Sequence, residues 1–182
     1  MQCKKKVRRS RTRLTYDACM LSLRSAVPGD LDNIYGLING LAAYEQLRHE
    51  VDATPQMLRA TLFCDSPRVF CDMAEWREPG EDHLTVAGFA LWFYNFSTFR
   101  GRHGIYLEDL FVLPSRRGKG VGRALLRGLA QRCVSENLAR LEWAVLDWNE
   151  PAIKFYRSLN ARQMAEWHVF RLTDVALQDL AR

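Results

Sequence analysis

The spacing of hydrophobic and polar residues changes period several times along the chain, and each change marks an element. Leu21 and Leu23 alternate with Ser22 and Arg24, the period of a half-buried strand over residues 21–26. Pro28-Gly29-Asp30 interrupts it and offers a helix cap. Leu31, Ile34, Ile38, Leu41 and Ala42 then recur at helical spacing and predict a helix to about residue 47. Glu45 falls on that apolar stripe, either because the helix end reaches solvent or because an acid is aimed into a cleft. Thr54-Pro55 is an N-cap and first-turn pair for a second helix through about residue 63. Strands are expected over residues 68–76 and 85–94, joined as an antiparallel hairpin by a polar loop, with residues 95–104 a turn into a strand at 105–113. A helix over 120–136, a strand over 140–146, a helix from 148 to about 159, a strand over 166–172 and a short helix capped by Asp174 complete the chain. With no internal repeat and one core, the pattern predicts a single mixed α/β domain.

The strand at 105–113 carries two adjacent acids. Strict alternation puts Tyr106, Glu108 and Leu110 on one face and Leu107, Asp109 and Phe111 on the other. Both faces are otherwise apolar, so both acids are expected to be buried, where a carboxylate must be paired, raised in pKa or served by a cleft. Asp109 reads as an acid held by backbone N–H groups or a partner arginine, or alternatively as a poised general base, whereas Glu108 reads as a general base because its strand leads into the basic, glycine-rich turn at 116–122. Arg116-Arg117-Gly118-Lys119-Gly120-Val121-Gly122 lacks the spacing of a Walker A loop, and Arg123 stands where a dinucleotide fingerprint needs its third glycine. Its glycines permit close backbone approach, and it opens a helix striped with Leu125, Leu126, Leu129, Ala130 and Cys133. Free N–H groups, the helix dipole and three cations make an anion seat.

Composition narrows the classes. The 182 residues are 48% hydrophobic and 26% charged, ordinary values for one globular domain, and no apolar run is long enough to span a membrane. Cys3, Cys19, Cys64, Cys71 and Cys133 are scattered without metal-ligand spacing and read as reduced thiols, mostly core filler, in a cytoplasmic protein. The net charge of +5 is local: residues 1–19 hold seven Lys/Arg and one acid, leaving 19 basic and 20 acidic residues in 20–182. Residues 1–19 therefore read as a solvated, disordered basic tail, and nucleic acid is not an expected partner of the folded part.

Arg117-x-x-Gly120-x-Gly122 resembles the acetyl-CoA pyrophosphate loop of the GNAT (GCN5-related) N-acetyltransferases. Tyr106-Leu-Glu-Asp-Leu-Phe-Val112 and Trp148-Asn-Glu-Pro-Ala-Ile-Lys-Phe-Tyr156 are similar to the spermidine/spermine (diamine) N-acetyltransferase branch, and the likeness runs from about Leu21 to Leu172. The resemblance implies a GNAT fold: a mixed, mostly antiparallel twisted sheet flanked by helices, with splayed central strands holding acetyl-CoA. It implies that the backbone of Leu110, Phe111 and Val112 binds the thioester arm. Arg117, Gly118, Lys119, Gly120, Val121, Gly122 and Arg123 would wrap the pyrophosphate, and Asn149, Glu150, Pro151 and Ala152 would contact the cofactor. Tyr156 matches the general acid that protonates the departing thiolate, and Glu108 the acid that takes a proton from the attacking ammonium. Without the resemblance Tyr156 reads as a core aromatic. Tyr44, Glu45, Glu108, Asp109 and Glu142 match or adjoin amine-binding positions, which implies a polycationic substrate: a diamine, a polyamine or a thialysine-like amino acid. The basic stretch 99–104 departs from that pattern, and Arg100 or Arg102 in the channel would favour a carboxylate-bearing substrate. The chemistry requires no metal, and the resemblance suggests a homodimer. Two alternatives are acetylation of protein lysines or N-termini, and a nucleic-acid binding module acting through the tail.

Overall fold

The computed structural model describes residues 14–16 and 20–182. They fall into two compact units that divide between Ala144 and Val145. In the first unit six strands form one sheet in the order β1 to β6: β1 (Leu14–Tyr16), β2 (Leu21–Ser25), β3 (Val69–Trp76), β4 (Thr85–Ser97), β5 (Arg102–Val112) and β6 (Leu141–Trp143). Neighbours are antiparallel through β5, and β5 pairs with β6 in parallel, so the expected mixed, mostly antiparallel sheet is present. Strand β1 lies inside the stretch read as a tail and pairs Leu14 with Leu23. The rest of that stretch lies outside the described residues.

Helices α1 (Leu31–Tyr44) and α2 (Pro55–Leu62) cover one face of the sheet. Ile34, Leu37 and Leu62 pack there with Cys71, Met73, Phe89, Leu91 and Phe111, all buried. Helix α3 (Val121–Ser135) covers the other face, burying Leu125, Leu126 and Leu129 and laying Arg132 over the Trp92 ring, 4.8 Å from its centroid. Thr54 caps α2 as expected, its hydroxyl accepting from Met57 N. Asp30 does not cap α1 with its side chain. Its carboxylate instead accepts from Arg24 at 2.6 and 2.7 Å and from Val27 N at 2.8 Å, which closes the turn between β2 and α1. Helix α1 stops at Tyr44, three residues short of the periodic pattern: Gln46 takes a positive φ of 62°, and Leu47 N donates back to Ala42 O.

Two expectations about β4 and β5 are overturned. Residues 95–104 are not one long turn, because the strands run on to Ser97 and resume at Arg102, leaving only the tip at 98–101. Cross-strand pairing, which Gly, Ser and Arg do not prevent, overrides their turn tendency. Strict alternation along β5 also fails. Leu91 pairs with Asp109 and Trp92 with Leu107, so Glu108 is the extra residue of a β-bulge. Leu107 keeps the α3 face with Trp92, while Asp109 joins Phe111 and Leu91 on the α1 face. Glu108 is exposed rather than buried.

The second unit contains α4 (Glu150–Arg157) and α5 (Asp174–Leu180). Asn149 is the N-cap of α4, as the Asn-Glu-Pro signal implies, and its Oδ1 accepts from Ala152 N at 3.3 Å. Helix α5 has Thr173, not Asp174, at its N-cap, and no side chain caps it. Residues 166–172 do not form the expected strand, and Trp167 and Phe170 are 70% and 93% exposed. Alternation licenses a strand only where a sheet edge receives its backbone, which sequence period does not encode. The strand expected over 140–146 is confined to β6.

Candidate active site

The bulge at Glu108 reorganises both the side chains and the backbone of β5. Before it, Ile105 N donates toward β6, to Arg140 O, whereas after it Leu113 N donates toward β4, to Ala87 O. Residues of one parity thus face opposite edges on either side of the bulge, and in an antiparallel ladder alternate residues turn their backbone groups to alternate edges. Leu110 and Val112 therefore turn theirs to the β6 edge, and Phe111 turns its own to β4. Ladder pairing with β6 ends at Leu107. Leu110 and Val112 form an open strand edge, while Phe111, expected to share their role, contributes its ring to the core.

The loop after β5 fits phosphate. Gly118 and Gly120 have φ of 74° and 82°, a left-handed conformation that other residues adopt at a cost, and a Cβ at either would meet nothing within 4 Å. The glycines are therefore required by backbone shape rather than by crowding. Gly120 is the N-cap of α3, so the N–H groups of Val121, Gly122 and Arg123 form its first turn, free of intrahelical partners by position. Val121 is buried, so only its backbone can reach a ligand. Arg116 and Lys119 are both engaged by Glu78 from the β3–β4 loop, and Lys119 also lies 5.2 Å from the Trp76 ring centroid. A cleft of about 310 Å³ bordered by Trp76, Lys119, Gly120, Arg123 and Arg127 adjoins the loop.

Asp109, on the α1 face, feels the charges of two further acids. Asp109 is pushed up to about 6, by burial first and then by the charges of Glu108 and Glu45. Glu45, the C-cap of α1, is raised by burial. Glu142 is placed differently: its carboxylate takes Arg140 Nε at 2.6 Å and Asn95 Nδ2 at 2.7 Å, so its charge is already balanced. Arg102 is directed to Asn137 Oδ1 at 2.8 Å. Tyr44 lies under the Arg117 guanidinium, 4.6 Å from its ring centroid. In the second unit Asn149 is buried by its capping role, and Tyr156 stands half-buried with its ring 5.4 Å from that of Phe155. Glu78, Asn95 and Arg140 carried no signal in the sequence, because a loop acid and a strand amide acquire partners only when the strands pair.

Among the described residues no group of three or more His, Cys, Asp or Glu side chains could hold a metal ion. No helix among them is long and apolar enough to cross a membrane.

An open strand edge thus leads into a glycine-shaped helix start, the arrangement that the resemblance to acetyl-CoA-dependent enzymes implies. Residues 38–161 match the model of the acetyltransferase (GNAT) family, and the chain belongs to that family. It is an N-acetyltransferase, moving an acetyl group to an amine, and the fold implies acetyl-CoA as cosubstrate. Thialysine N-epsilon-acetyltransferase of Bos taurus is 38% identical over 164 residues, covering 87% of this chain and 96% of that one. L-ornithine N5-acetyltransferase of Arabidopsis thaliana is 34% identical over 195 residues, covering 86% of each. Among solved structures, an integron cassette protein from the mobile metagenome of V. cholerae superposes with a TM-score of 0.71 at 28% identity, covering 89% of this chain and 98% of that one.

Proposed function

We propose that this enzyme acetylates a primary amine of a small substrate bearing two or more positive charges: a diamine, a polyamine or a thialysine-like amino acid. The observation that carries the reading is that Asp109, pushed up by burial first, also feels the charges of Glu108 and Glu45. Carboxylates close enough to act on one another gain from a ligand bringing at least two cations, and a product that has lost one charge is held less well. The relatives that act on thialysine and ornithine support a small basic amine. Glu142 is given a structural role here, because Arg140 and Asn95 already satisfy it.

Acetyl-CoA supplies the activated thioester. Glu108, exposed at the bulge, accepts the proton that an ammonium must lose before its nitrogen can attack. The new C–N bond forms as the C–S bond breaks, and the Tyr156 hydroxyl gives a proton to the departing sulfur. Each positioned proton transfer is worth about 10² to 10⁴ in rate. Leu110 and Val112 bind the arm through backbone groups, and Gly118 to Arg123 seat the pyrophosphate. Asn149, Glu150, Pro151 and Ala152 contact the cofactor by their match to the family motif. We place the enzyme in the cytoplasm, from its scattered cysteines, and as a homodimer, as the family resemblance implies.

The reading is tested by thiol release from acetyl-CoA across diamines, polyamines, ornithine, thialysine, aminoglycosides and lysine peptides, with and without residues 1–19. Small polyamines or basic amino acids are expected to be the best substrates in both forms. Preference for peptides overturns the substrate class, and an activity lost with the tail but restored by nucleic acid overturns the role given to the folded part. Tyr156→Phe is expected to lower kcat with little change in acetyl-CoA affinity; an unchanged rate of the chemical step removes Tyr156 from the mechanism.

A further inference from the structure

The side chain of Arg117 does not extend toward the phosphate seat that its own backbone helps to form. It folds back along the end of β5, where its Nε donates to Val112 O at 3.1 Å. Val112 O is one of the backbone groups that the bulge turns to the open edge, so the guanidinium occupies a hydrogen-bonding position of the edge that receives the thioester arm. From there the guanidinium reaches two aromatic rings. Its carbon is 4.6 Å from the Tyr44 centroid and 5.5 Å from that of Phe111. The Phe111 ring is itself wedged against α1 at Gly40, where a Cβ would come within 3.0 Å of it. Arg117 thus touches the open edge with one atom and stands over the ring of Tyr44, the last residue of α1.

We propose that Arg117 is a latch between the two substrates: it fastens Val112 on the open edge to Tyr44 at the end of α1, and seating the thioester arm releases it, which uncovers Tyr44 and Glu45 for the amine. The latch rests on the acetyl-CoA reading of the edge and loop. Its chemistry is competition for one carbonyl, coupled to the loss of a cation–π contact. Seating the arm breaks the Arg117 contact with Tyr44, and an amine that takes Tyr44 loosens Arg117 from Val112, so the cofactor and the amine favour each other, and the coupling must be reciprocal.

The test is calorimetric titration of the full chain with CoA, and with spermidine, ornithine and thialysine in the absence and presence of saturating CoA. In Tyr44→Leu the latch loses its ring, and CoA is expected to bind about two- to fivefold tighter, the range of an exposed cation–π contact. Tyr44→Phe, which keeps a ring, should retain the wild-type value. In an Arg117→Ala background the Tyr44→Leu effect on CoA should vanish, because a double-mutant cycle isolates the pair. CoA is expected to tighten amine binding about fivefold or more in the wild type, with that factor falling toward one in Arg117→Ala. Unchanged or weaker CoA binding by a folded Tyr44→Leu overturns the latch alone. If that variant does not fold, coupling that persists in Arg117→Ala overturns it. Failure of the wild-type chain to bind CoA at all overturns the acetyl-CoA reading and the latch with it.

Discussion

The middle of β5 and the loop that follows it solve different problems with different means. In the loop, residues 114–122 form an anion seat from backbone: two left-handed glycines, a helix start and N–H groups whose positions follow from local dihedrals. In the middle of β5, residues 107–109 carry the acids to which we assign proton transfer, and the placement of those side chains depends on one unmatched residue against β4. The loop would keep its shape in any protein that supplied a strand before it and a helix after it. The acid pair would not, since removing the bulge would exchange the faces of Glu108 and Asp109 relative to the strand's far end. The proposed phosphate seat is therefore a local feature of this chain, and the proposed amine site is a feature of strand register.

That contrast can be broken experimentally, beginning where the effect is largest. Glu108→Gln keeps the bulge and its exposure but removes the base, so kcat should fall by about 10² or more, and the pH–rate profile should shift toward higher pH. An unchanged profile would show that the bulge does not deliver Glu108 to the reaction. Gly120→Ala tests the loop in the same terms. Its φ of 82° is strained for alanine, so the Tm should fall by about 2–8 °C, matching about 1–2 kcal/mol, and the KM for acetyl-CoA should rise with kcat nearly constant. A large kcat effect there would mean that loop and acid site are not separable.

Asp109→Asn gives the smallest effect on turnover and the clearest one on stability. The folded carboxyl titrates near 6, above its value in an unfolded chain, so between about pH 4 and 6 the folded state binds more protons. Wild-type stability must therefore decline as pH rises through that window. The asparagine variant, lacking the buried charge, should be more stable than the wild type above pH 6, by about 1–3 kcal/mol, and equal to it below about pH 4. Chemical denaturation at several pH values checks this. A constant difference across the range would show that Asp109 is not held in the acid cluster.

Much of the fold was legible because its signals are local. The Thr54-Pro55 and Asn149-Glu150-Pro151 starts, the α3 stripe and the strands around 69–76 and 85–94 need only neighbouring residues to specify them. The errors share a different cause. The turn at 95–104 became paired strand, the strand at 166–172 was not formed, and Glu108 was placed on a buried face. Each depends on what lies across a ladder, and a ladder partner is distant in sequence.

The same division holds for the site. Sequence alone determined which residues could do chemistry here: the glycine spacing that forces left-handed turns, the paired acids, and the motif at Trp148 to Tyr156. Only the tertiary structure decided how their charges are disposed. It turned Asp109 toward Glu45 and raised it, gave Glu142 to Arg140 and Asn95, set Glu78 between Arg116 and Lys119, and folded Arg117 back onto Val112 and Tyr44. Electrostatic roles are set by distance and burial, which arise when the β-bulge fixes register and α1 docks on the sheet.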